Sequence, residues 1–248
     1  MAHSDFRTPR LHVAGPLAEG ARIALDRDQA NYLLAVLRLD AGAAVLVFDG
    51  TSGEFRARVE PTGKRGADLV VEARTRPQPP VPDLLWLFAP LKHARLDYMV
   101  QKAVEMGVGR IRPVITRHTQ ATRVNVERMR ANVVEAAEQC GVLHVPPVEA
   151  EERLERVLDR FPEDEPGRRL IFCDEGEDTT NPTATLTALG RGPVAVLIGP
   201  EGGFAEEERR RLRALPFVTP IPLGPRILRA DTAAVVALTM IQATIGDW

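Results

Sequence analysis

A proline-rich segment limits how this chain can fold. Residues 74–83, with the sequence RTRPQPPVPD, contain four prolines within six positions, from Pro77 to Pro82. Proline has a fixed φ and no backbone N–H, so such a segment forms neither a helix interior nor a central strand and is typical of a stiff, extended connector. The 248-residue chain is therefore predicted to contain two domains, 1–74 and 84–248, with a linker over residues 75–83.

The region before the linker is predicted to be a small, mostly β domain. Gly50-Thr-Ser-Gly53 is typical of a hairpin turn, and one helix interrupts the strands, with Asp26 as its cap and Gln29 completing a capping box. Short apolar runs separated by turn signals predict strands over residues 10–14, 22–25, 43–48, 54–59 and 68–73. Strands of this length and spacing favour a small barrel.

The region after the linker alternates strands with helices. Continuous apolar runs predict strands over residues 84–89, 111–115, 170–173, 194–198 and 217–222. Helical periodicity predicts helices over residues 96–104, 126–140, 151–160, 206–215 and 232–245. Apolar strands that alternate with helices indicate a parallel sheet with helices on both faces, that is, an α/β domain.

The composition of the chain and the spacing of its cysteines and histidines argue against a membrane location and a metal site. No stretch has the apolar length of a membrane span and the first ten residues lack the apolar core of a signal peptide, so a cytoplasmic location is expected. Cys140 and Cys173 are far apart and are expected to be reduced core residues, and five scattered histidines show no ligand spacing, so no metal is predicted.

The charges are unevenly distributed although the formal net charge is only −2. Residues 92–130 contain nine Lys/Arg against three Asp/Glu, a net of +6, whereas residues 131–178 contain five against fourteen, a net of −9. A basic zone on a nearly neutral protein fits a surface that binds a polyanion. Solvated helix faces of opposite sign explain the same pattern equally well.

Two glycine-containing loops are the candidate ligand site, because each follows a predicted strand and leads into a helix. The first, LIGPEGGF at residues 197–204, lacks the glycine patterns of phosphate and dinucleotide loops and carries Glu201, so a neutral or cationic ligand is expected. The second, LGPRILRAD at residues 223–231, has Ile227 and Leu228 between two arginines. These two apolar side chains either pack into the core or form one wall of a ligand pocket.

The charged residues of the second loop leave several interpretations open. Arg226 and Arg229 can form salt bridges to Glu201 or Asp231, or can bind phosphate and base. Asp231 followed by Thr232 before an apolar helix is a good N-cap, and capping is the expected role for one of these two residues.

These loops carry a resemblance to a known family. IGPEGGF followed by LGPRILRADTA resembles the C-terminal signature of the RsmE family, SPOUT-class methyltransferases that act on N3 of a uridine in 16S rRNA of the small ribosomal subunit. FRTPRLHV, NYLLAVLRL, VFDG, LDYMVQKAVEMGVGRIRPV and AAEQCGVLHVP resemble family segments in the same order, so the resemblance covers nearly the whole chain.

The resemblance implies a fold and a cofactor. It implies an RNA-binding PUA-like barrel, a SPOUT domain with a C-terminal trefoil knot, and a homodimer whose active site includes residues from both chains. Its cofactor is S-adenosylmethionine, which has no phosphate and whose sulfonium tolerates a nearby carboxylate. By position, the cofactor residues are Leu197, Ile198, Gly199, Pro200, Glu201, Gly202, Leu223, Gly224, Ile227, Leu228, Arg229, Thr232 and Ala233.

The resemblance also suggests catalytic and RNA-binding residues. Uracil N3 is a weak nucleophile until it loses its proton, so our hypothesis is that Asp231 accepts that proton or orients the base and that Arg229 stabilises the anion. N3 lies on the Watson–Crick edge, so the target must be unpaired or extruded. The candidates for RNA binding, each with an ordinary surface charge as the competing interpretation, are Arg7, Arg10, Arg38, Lys92 and Lys102.

Four positions depart from the family pattern, which usually has glutamate at Asp231, arginine at Val142 and near His118, and often histidine at Tyr32.

Three other functions compete with the one that the resemblance implies. They are a SPOUT methyltransferase for tRNA or a ribose 2′-hydroxyl, a non-catalytic RNA-binding module, and a nucleotide-phosphate enzyme.

Overall fold

The computed structural model describes residues 7–63, 66–92, 94–121, 124–176 and 181–248. The chain forms two compact units. The first contains Met1–Val81 together with Ala137–Val145, and the second contains Pro82–Ala136 together with Pro146–Trp248. The proline-rich segment thus lies at a boundary between units, but the first unit also takes a short segment from the middle of the chain.

The first unit contains a five-stranded sheet in the order β1-β3-β4-β5-β2. Its pairs are antiparallel except β1 with β3, which are parallel. The strands are β1 (Arg10–His12), β2 (Arg22–Ala24), β3 (Ala44–Phe48), β4 (Glu54–Thr62) and β5 (Gly66–Arg76). All five predicted strands are therefore present, and β5 extends into the predicted linker because its outer residues still pair with β4. Val45, Val47, Val59 and Leu69 are fully buried in the core of this sheet.

Helix α1 (Arg27–Asn31) has the predicted capping box. The Gln29 backbone N–H donates to Asp26 Oδ1 at 2.8 Å, and the Asp26 backbone N–H donates to Gln29 Oε1 at 3.2 Å. The helix continues as a π-helical turn, Tyr32–Val36, that the sequence pattern did not predict. Leu33 in this turn is fully buried, so the turn places an apolar side chain in the core of the unit.

The second unit contains a six-stranded parallel sheet in the order β11-β9-β10-β6-β7-β8. Its strands are β6 (Leu84–Phe88), β7 (Arg110–Ile115), β8 (Glu152–Arg153), β9 (Arg169–Cys173), β10 (Val194–Ile198) and β11 (Val218–Ile221). The central strands β6 and β10 are buried at every position, as is expected when helices cover both faces of a parallel sheet.

Helices flank this sheet. They are α2 (Ala94–Glu105), α3 (Val126–Cys140), α4 (Leu154–Asp164), α5 (Pro182–Leu189), α6 (Glu206–Ala214) and α7 (Ala230–Thr244). Leu85 and Leu87 of β6 belong to one core with α4 and α6. Trp86 and Phe88 alternate with them and therefore face the opposite side of the sheet. The predicted α/β fold is confirmed, whereas β8 and α5 were not predicted. No helix in the described ranges is long and apolar enough to cross a bilayer.

The segment Ala137–Val145, which begins in the last turn of α3, is bound to the first unit through buried charges. Arg10 is only 7% exposed, and its Nε donates to Glu54 Oε2 at 2.8 Å while another guanidinium nitrogen donates to the Glu138 carbonyl at 3.3 Å. Arg76 also binds Glu54 and reaches the Gly141 carbonyl at 3.1 Å. The prediction that Arg10 binds RNA is therefore wrong, because its guanidinium is buried and holds the unit together.

The two cysteines differ from the core residues that were expected. Cys140 is exposed at the end of α3, so the core prediction is wrong for it. Cys173 ends β9 and is only partly buried. Burial, followed by the negative charge of Asp174, raises the pKa of the Cys173 thiol well above its ordinary value. The thiol is therefore held in its neutral form.

Candidate functional site

A cavity of about 780 Å³ opens beyond the carboxyl ends of β9, β10 and β11. Three loops form most of its wall, one after each of these strands, and helix residues Arg95, Arg209 and Ala233 complete it. The volume lies within the range of small-molecule sites, and the position is the one at which open α/β sheets bind ligands. The structure therefore brings the two loops singled out in the sequence to one cavity.

Glycines let the first loop pack tightly. A Cβ at Gly199 would lie 2.5 Å from the ring of Phe204, and a Cβ at Gly203 would lie 2.5 Å from Glu175 Oε1. Gly203 also has a φ of +67°, which side chains other than glycine rarely adopt, and its N–H donates to the Pro200 carbonyl at 2.9 Å. A side chain at Gly199 would therefore clash with Phe204, and one at Gly203 would be disfavoured by the backbone conformation and would displace Glu175.

Glu201 forms an ion pair with Arg95, near the start of α2, rather than with Arg226 or Arg229. Both partners are partly exposed at the cavity wall. Sequence reasoning missed Arg95 because 106 positions separate it from Glu201. The only available signal was a basic residue just after a predicted strand.

The second loop presents apolar and basic side chains to the same cavity. Leu223 and Leu228 are partly buried, but Ile227 is 95% exposed. The interpretation that Ile227 packs into the core is therefore wrong. Arg226 and Arg229 are exposed and line the cavity. Neither guanidinium has an ion-pair partner in the part of the chain that the structure describes.

Helix α7 begins differently from the prediction. Arg229 occupies the N-cap position without a side-chain hydrogen bond, and Asp231 lies in the first turn of the helix. The Asp231 carboxylate accepts from the Thr232 backbone N–H at 2.8 Å, which is a bond to its neighbour and not a cap. The capping prediction is therefore wrong. Asp231 and Thr232 lie outside the cavity lining, whereas Ala233 lies within it.

A buried acidic residue after β9 forms part of the wall that sequence reasoning missed. Asp174 is only 2% exposed, and it accepts hydrogen bonds from Arg209 Nε at 3.0 Å and from Arg213 at 2.9 and 2.6 Å. Both arginines belong to α6, the helix that follows the first loop. These ion pairs therefore hold α6 against the end of β9.

The predicted cofactor residues are divided by this geometry. Leu197 is fully buried within β10, and the lining contains neither Gly202 nor Thr232. Gly202 instead has its carbonyl 3.1 Å from His118 Nδ1, so one of the departures from the family pattern contacts the loop directly. The predicted residues that line the cavity are Ile198, Gly199, Pro200, Glu201, Leu223, Gly224, Ile227, Leu228, Arg229 and Ala233.

The predicted RNA-binding residues are mixed in their surroundings. Arg7, Arg38 and Lys92 are exposed. Lys102 pairs with Glu105 at 2.7 Å and lies over the ring of Tyr98. Other basic residues of segment 92–130 also form ion pairs, namely Arg110–Glu165, Arg112–Glu149, Arg128–Asp97 and Arg130–Glu127. This pairing favours the interpretation that these residues form ordinary charged helix and strand faces.

The chain is similar to known RNA methyltransferases along most of its length. An RNA methyltransferase PUA domain family matches residues 25–72, and an RNA methyltransferase domain family matches residues 77–242. The ribosomal RNA small subunit methyltransferase E of Rickettsia conorii is 29% identical over 235 residues, 94% of each chain. The protein of that name from Synechocystis is 30% identical over 239 residues, 95% of this chain and 78% of the relative.

Solved structures show the same relationship. A putative methyltransferase from Legionella pneumophila, solved with bound SAM, has a TM-score of 0.83 and 28% identity, covering 96% of this chain and 98% of its own. A ribosomal RNA small subunit methyltransferase E from Neisseria gonorrhoeae, bound to S-adenosyl methionine, has a TM-score of 0.81 and 27% identity over 98% of this chain and 100% of its own. This chain therefore belongs to the ribosomal RNA small subunit methyltransferase E family, as the resemblance of its two C-terminal loops implied.

Proposed function

We propose that this protein transfers a methyl group from S-adenosylmethionine to N3 of a uridine in 16S rRNA of the small ribosomal subunit. Membership in the family makes it an rRNA methyltransferase that depends on S-adenosylmethionine. The observation that carries the proposal is the cavity of about 780 Å³ to which both family loops contribute. The choice of N3 rests on the resemblance of these loops.

The residues of the cavity suit this methyl donor. Ile198, Leu223, Leu228 and Ala233 supply apolar surface for a flat heterocycle, and the glycines expose backbone groups that can bind it. Among the described residues, the lining contains carboxylates and no lysine, as suits a ligand with a sulfonium and no phosphate. When bound, S-adenosylmethionine supplies an electrophilic methyl group on that sulfonium.

Arg229 is the proposed electrostatic residue. Its exposed guanidinium lines the cavity and has no ion-pair partner in the described ranges, so it is available to stabilise negative charge on the uracil ring as the N3 proton leaves. Asp231 is the proposed acceptor of that proton. Its carboxylate lies in the first turn of α7, two positions after Arg229, although outside the cavity lining.

Two features of the assembly are part of the proposal. One is the trefoil knot, which would bring the loops after β10 and β11 to one cavity, where both lie. The other is a homodimer, which rests on the resemblance to the family. Light scattering on the purified protein would contradict the dimer if it gave the mass of one chain, 27.2 kDa.

The decisive experiment is transfer of labelled methyl groups to small ribosomal subunits that lack the modification, in parallel with naked rRNA and tRNA. After digestion, mass analysis of the nucleosides should identify the label as 3-methyluridine from the small subunit. Label in tRNA or on a ribose would contradict the proposed target.

Variants of the second loop test the assigned roles. Arg229→Gln should reduce the single-turnover rate with bound RNA by about a hundredfold, the effect of losing one electrostatic stabiliser. Arg226→Gln, on the same loop and equally exposed, is the matched control and should retain most of the rate. An unchanged single-turnover rate in Asp231→Asn would exclude Asp231 as the base.

A further inference from the structure

One carboxylate in the cavity wall has no partner among the residues that the structure describes. Glu175 is exposed, lines the cavity directly after β9, and has neither an ion pair nor a hydrogen bond within the described residues. The other acidic side chains of the wall are already engaged. Asp174 binds Arg209 and Arg213, and Glu201 binds Arg95. Among the described residues of this wall, Glu175 is therefore the acidic group that is available to a ligand.

The position of Glu175 is restricted from two sides. On one side, the ion pairs of Asp174 attach this segment to α6, and a Cβ at Gly176 would overlap the guanidinium of Arg209. On the other side, a Cβ at Gly203 would lie 2.5 Å from Glu175 Oε1. Glycines at both positions thus allow this carboxylate to lie directly against the first loop, at the edge of the cavity.

The chemistry of the methyl donor matches such a carboxylate. S-Adenosylmethionine has a flat adenine at one end and an amino acid, with an α-ammonium and a carboxylate, at the other. Adenine is favoured on the apolar inner wall, whereas charged groups lose less hydration at the exposed edge. An ammonium group binds most strongly to an acceptor whose charge is not already neutralised, and Glu175 meets that condition.

We propose that Glu175 binds the α-ammonium group of S-adenosylmethionine and that Asp174, through Arg209 and Arg213, positions it. The inference rests on the proposed function, because it takes S-adenosylmethionine as the ligand. It adds a third loop, the one after β9, to the two loops that the family resemblance assigns to the cofactor.

Calorimetry with two ligands tests this assignment without measuring activity. The first is S-adenosylhomocysteine, and the second is its analogue in which hydrogen replaces the α-amino group. Glu175→Gln should weaken binding of S-adenosylhomocysteine by about tenfold or more, the effect of losing one charge-assisted hydrogen bond, and should leave binding of the analogue unchanged. Glu207→Gln is the matched control, since Glu207 is also exposed but lies outside this cavity, and it should bind both ligands like the wild type.

Two results would overturn the assignment. Equal weakening of both ligands in Glu175→Gln would mean that the carboxylate contacts the nucleoside or supports the loop, and unchanged binding of both would mean that it contacts no part of the ligand. A wild-type protein that binds neither compound would instead contradict the proposed function. Glu175 is exposed, so the variant should keep the melting temperature of the wild type, which excludes loss of folding as the cause.

Discussion

Glu54 in the first unit and Asp174 in the second are each buried between two arginines, but of these two clusters only that of Asp174 borders the cavity described above. Glu54, which is 3% exposed, binds Arg10 at 2.8 Å and Arg76 at 2.6 and 3.0 Å. Asp174, which is 2% exposed, binds Arg209 at 3.0 Å and Arg213 at 2.6 Å. The charges and distances are nearly the same, so the ion pairs by themselves do not distinguish a structural cluster from one that supports a site.

The surroundings of the two clusters make the difference. Around Glu54, the arginines extend to the backbone carbonyls of Glu138 and Gly141, and thereby fasten a distant segment to the sheet. Asp174 lies at the carboxyl end of a parallel strand, where glycines allow neighbouring segments to approach closely and where Arg209 lines the cavity. The position in the sheet and the neighbouring glycines, rather than the charges, therefore distinguish the cluster that borders the cavity.

The largest effects are expected at Asp174. Asp174→Asn leaves two arginines without a buried counter-charge, so the free energy of unfolding should fall by about 3–5 kcal/mol in urea denaturation. The affinity of the folded variant for S-adenosylhomocysteine should also fall, because the β9 loop and α6 are no longer held together. Unchanged affinity in the folded variant would show that the Asp174 cluster, like the Glu54 cluster, only stabilises the fold.

Glu54→Gln should give a similar loss of stability, about 3–5 kcal/mol, because it also breaks a buried ion pair. The affinity of the folded variant for S-adenosylhomocysteine should stay at the wild-type value. Glu60→Gln in the same unit is the control, since its pairs with Arg22 and Arg58 are exposed to solvent and contribute little to stability. A loss of affinity in Glu54→Gln would remove the distinction between the clusters.

Gly203→Ala tests the role of the neighbouring glycine. The left-handed backbone should cost about 1–2 kcal/mol, and the added methyl group would displace Glu175. Binding of S-adenosylhomocysteine should therefore weaken by about tenfold in calorimetry. Gly192→Ala should have little effect on affinity, because Gly192 has no atoms within 4 Å of an added Cβ. Wild-type affinity in the Gly203 variant would show that the close contact between Gly203 and Glu175 is not needed for ligand binding.

The Glu54 cluster should also make stability depend on pH. Burial alone would raise the pKa of Glu54, but hydrogen bonds from Arg76, Arg10 and Thr75 outweigh it and lower the pKa below 4.5. The resulting stability is fully present above pH 4.5 and is lost as the pH falls through the lower, folded-state value. Urea denaturation should therefore show a gap between wild type and Glu54→Gln that narrows below that pH. A gap independent of pH would contradict the lowered pKa.

The smallest effect is expected for a partly exposed arginine on the same helix as the Asp174 cluster. Arg211 binds Asp159 at 2.5 Å, but this pair lies at the surface, with 37% and 64% of the two side chains exposed. Arg211→Gln should therefore change the free energy of unfolding by less than about 1 kcal/mol and leave ligand affinity unchanged. An effect as large as that of Asp174→Asn would show that burial does not separate these pairs.

Local patterns in the sequence determined much of the fold. The capping box at Asp26, the five strands of the first unit and the buried parallel strands of the second follow from short-range periodicity and turn chemistry. The two glycine-containing loops were also predictable as a ligand site, because both follow strands of one parallel sheet. Each of these features depends on residues that are near one another in the chain.

Only the tertiary structure decided which distant groups meet. Arg95 pairs with Glu201 across 106 positions, Arg213 with Asp174 across 39, and Arg10 with Glu54 across 44. Ala137–Val145 joins the first unit although it lies in the middle of the second unit's sequence. Periodicity gives the face on which a side chain lies but not the partner it meets, because that partner depends on strand order and helix packing.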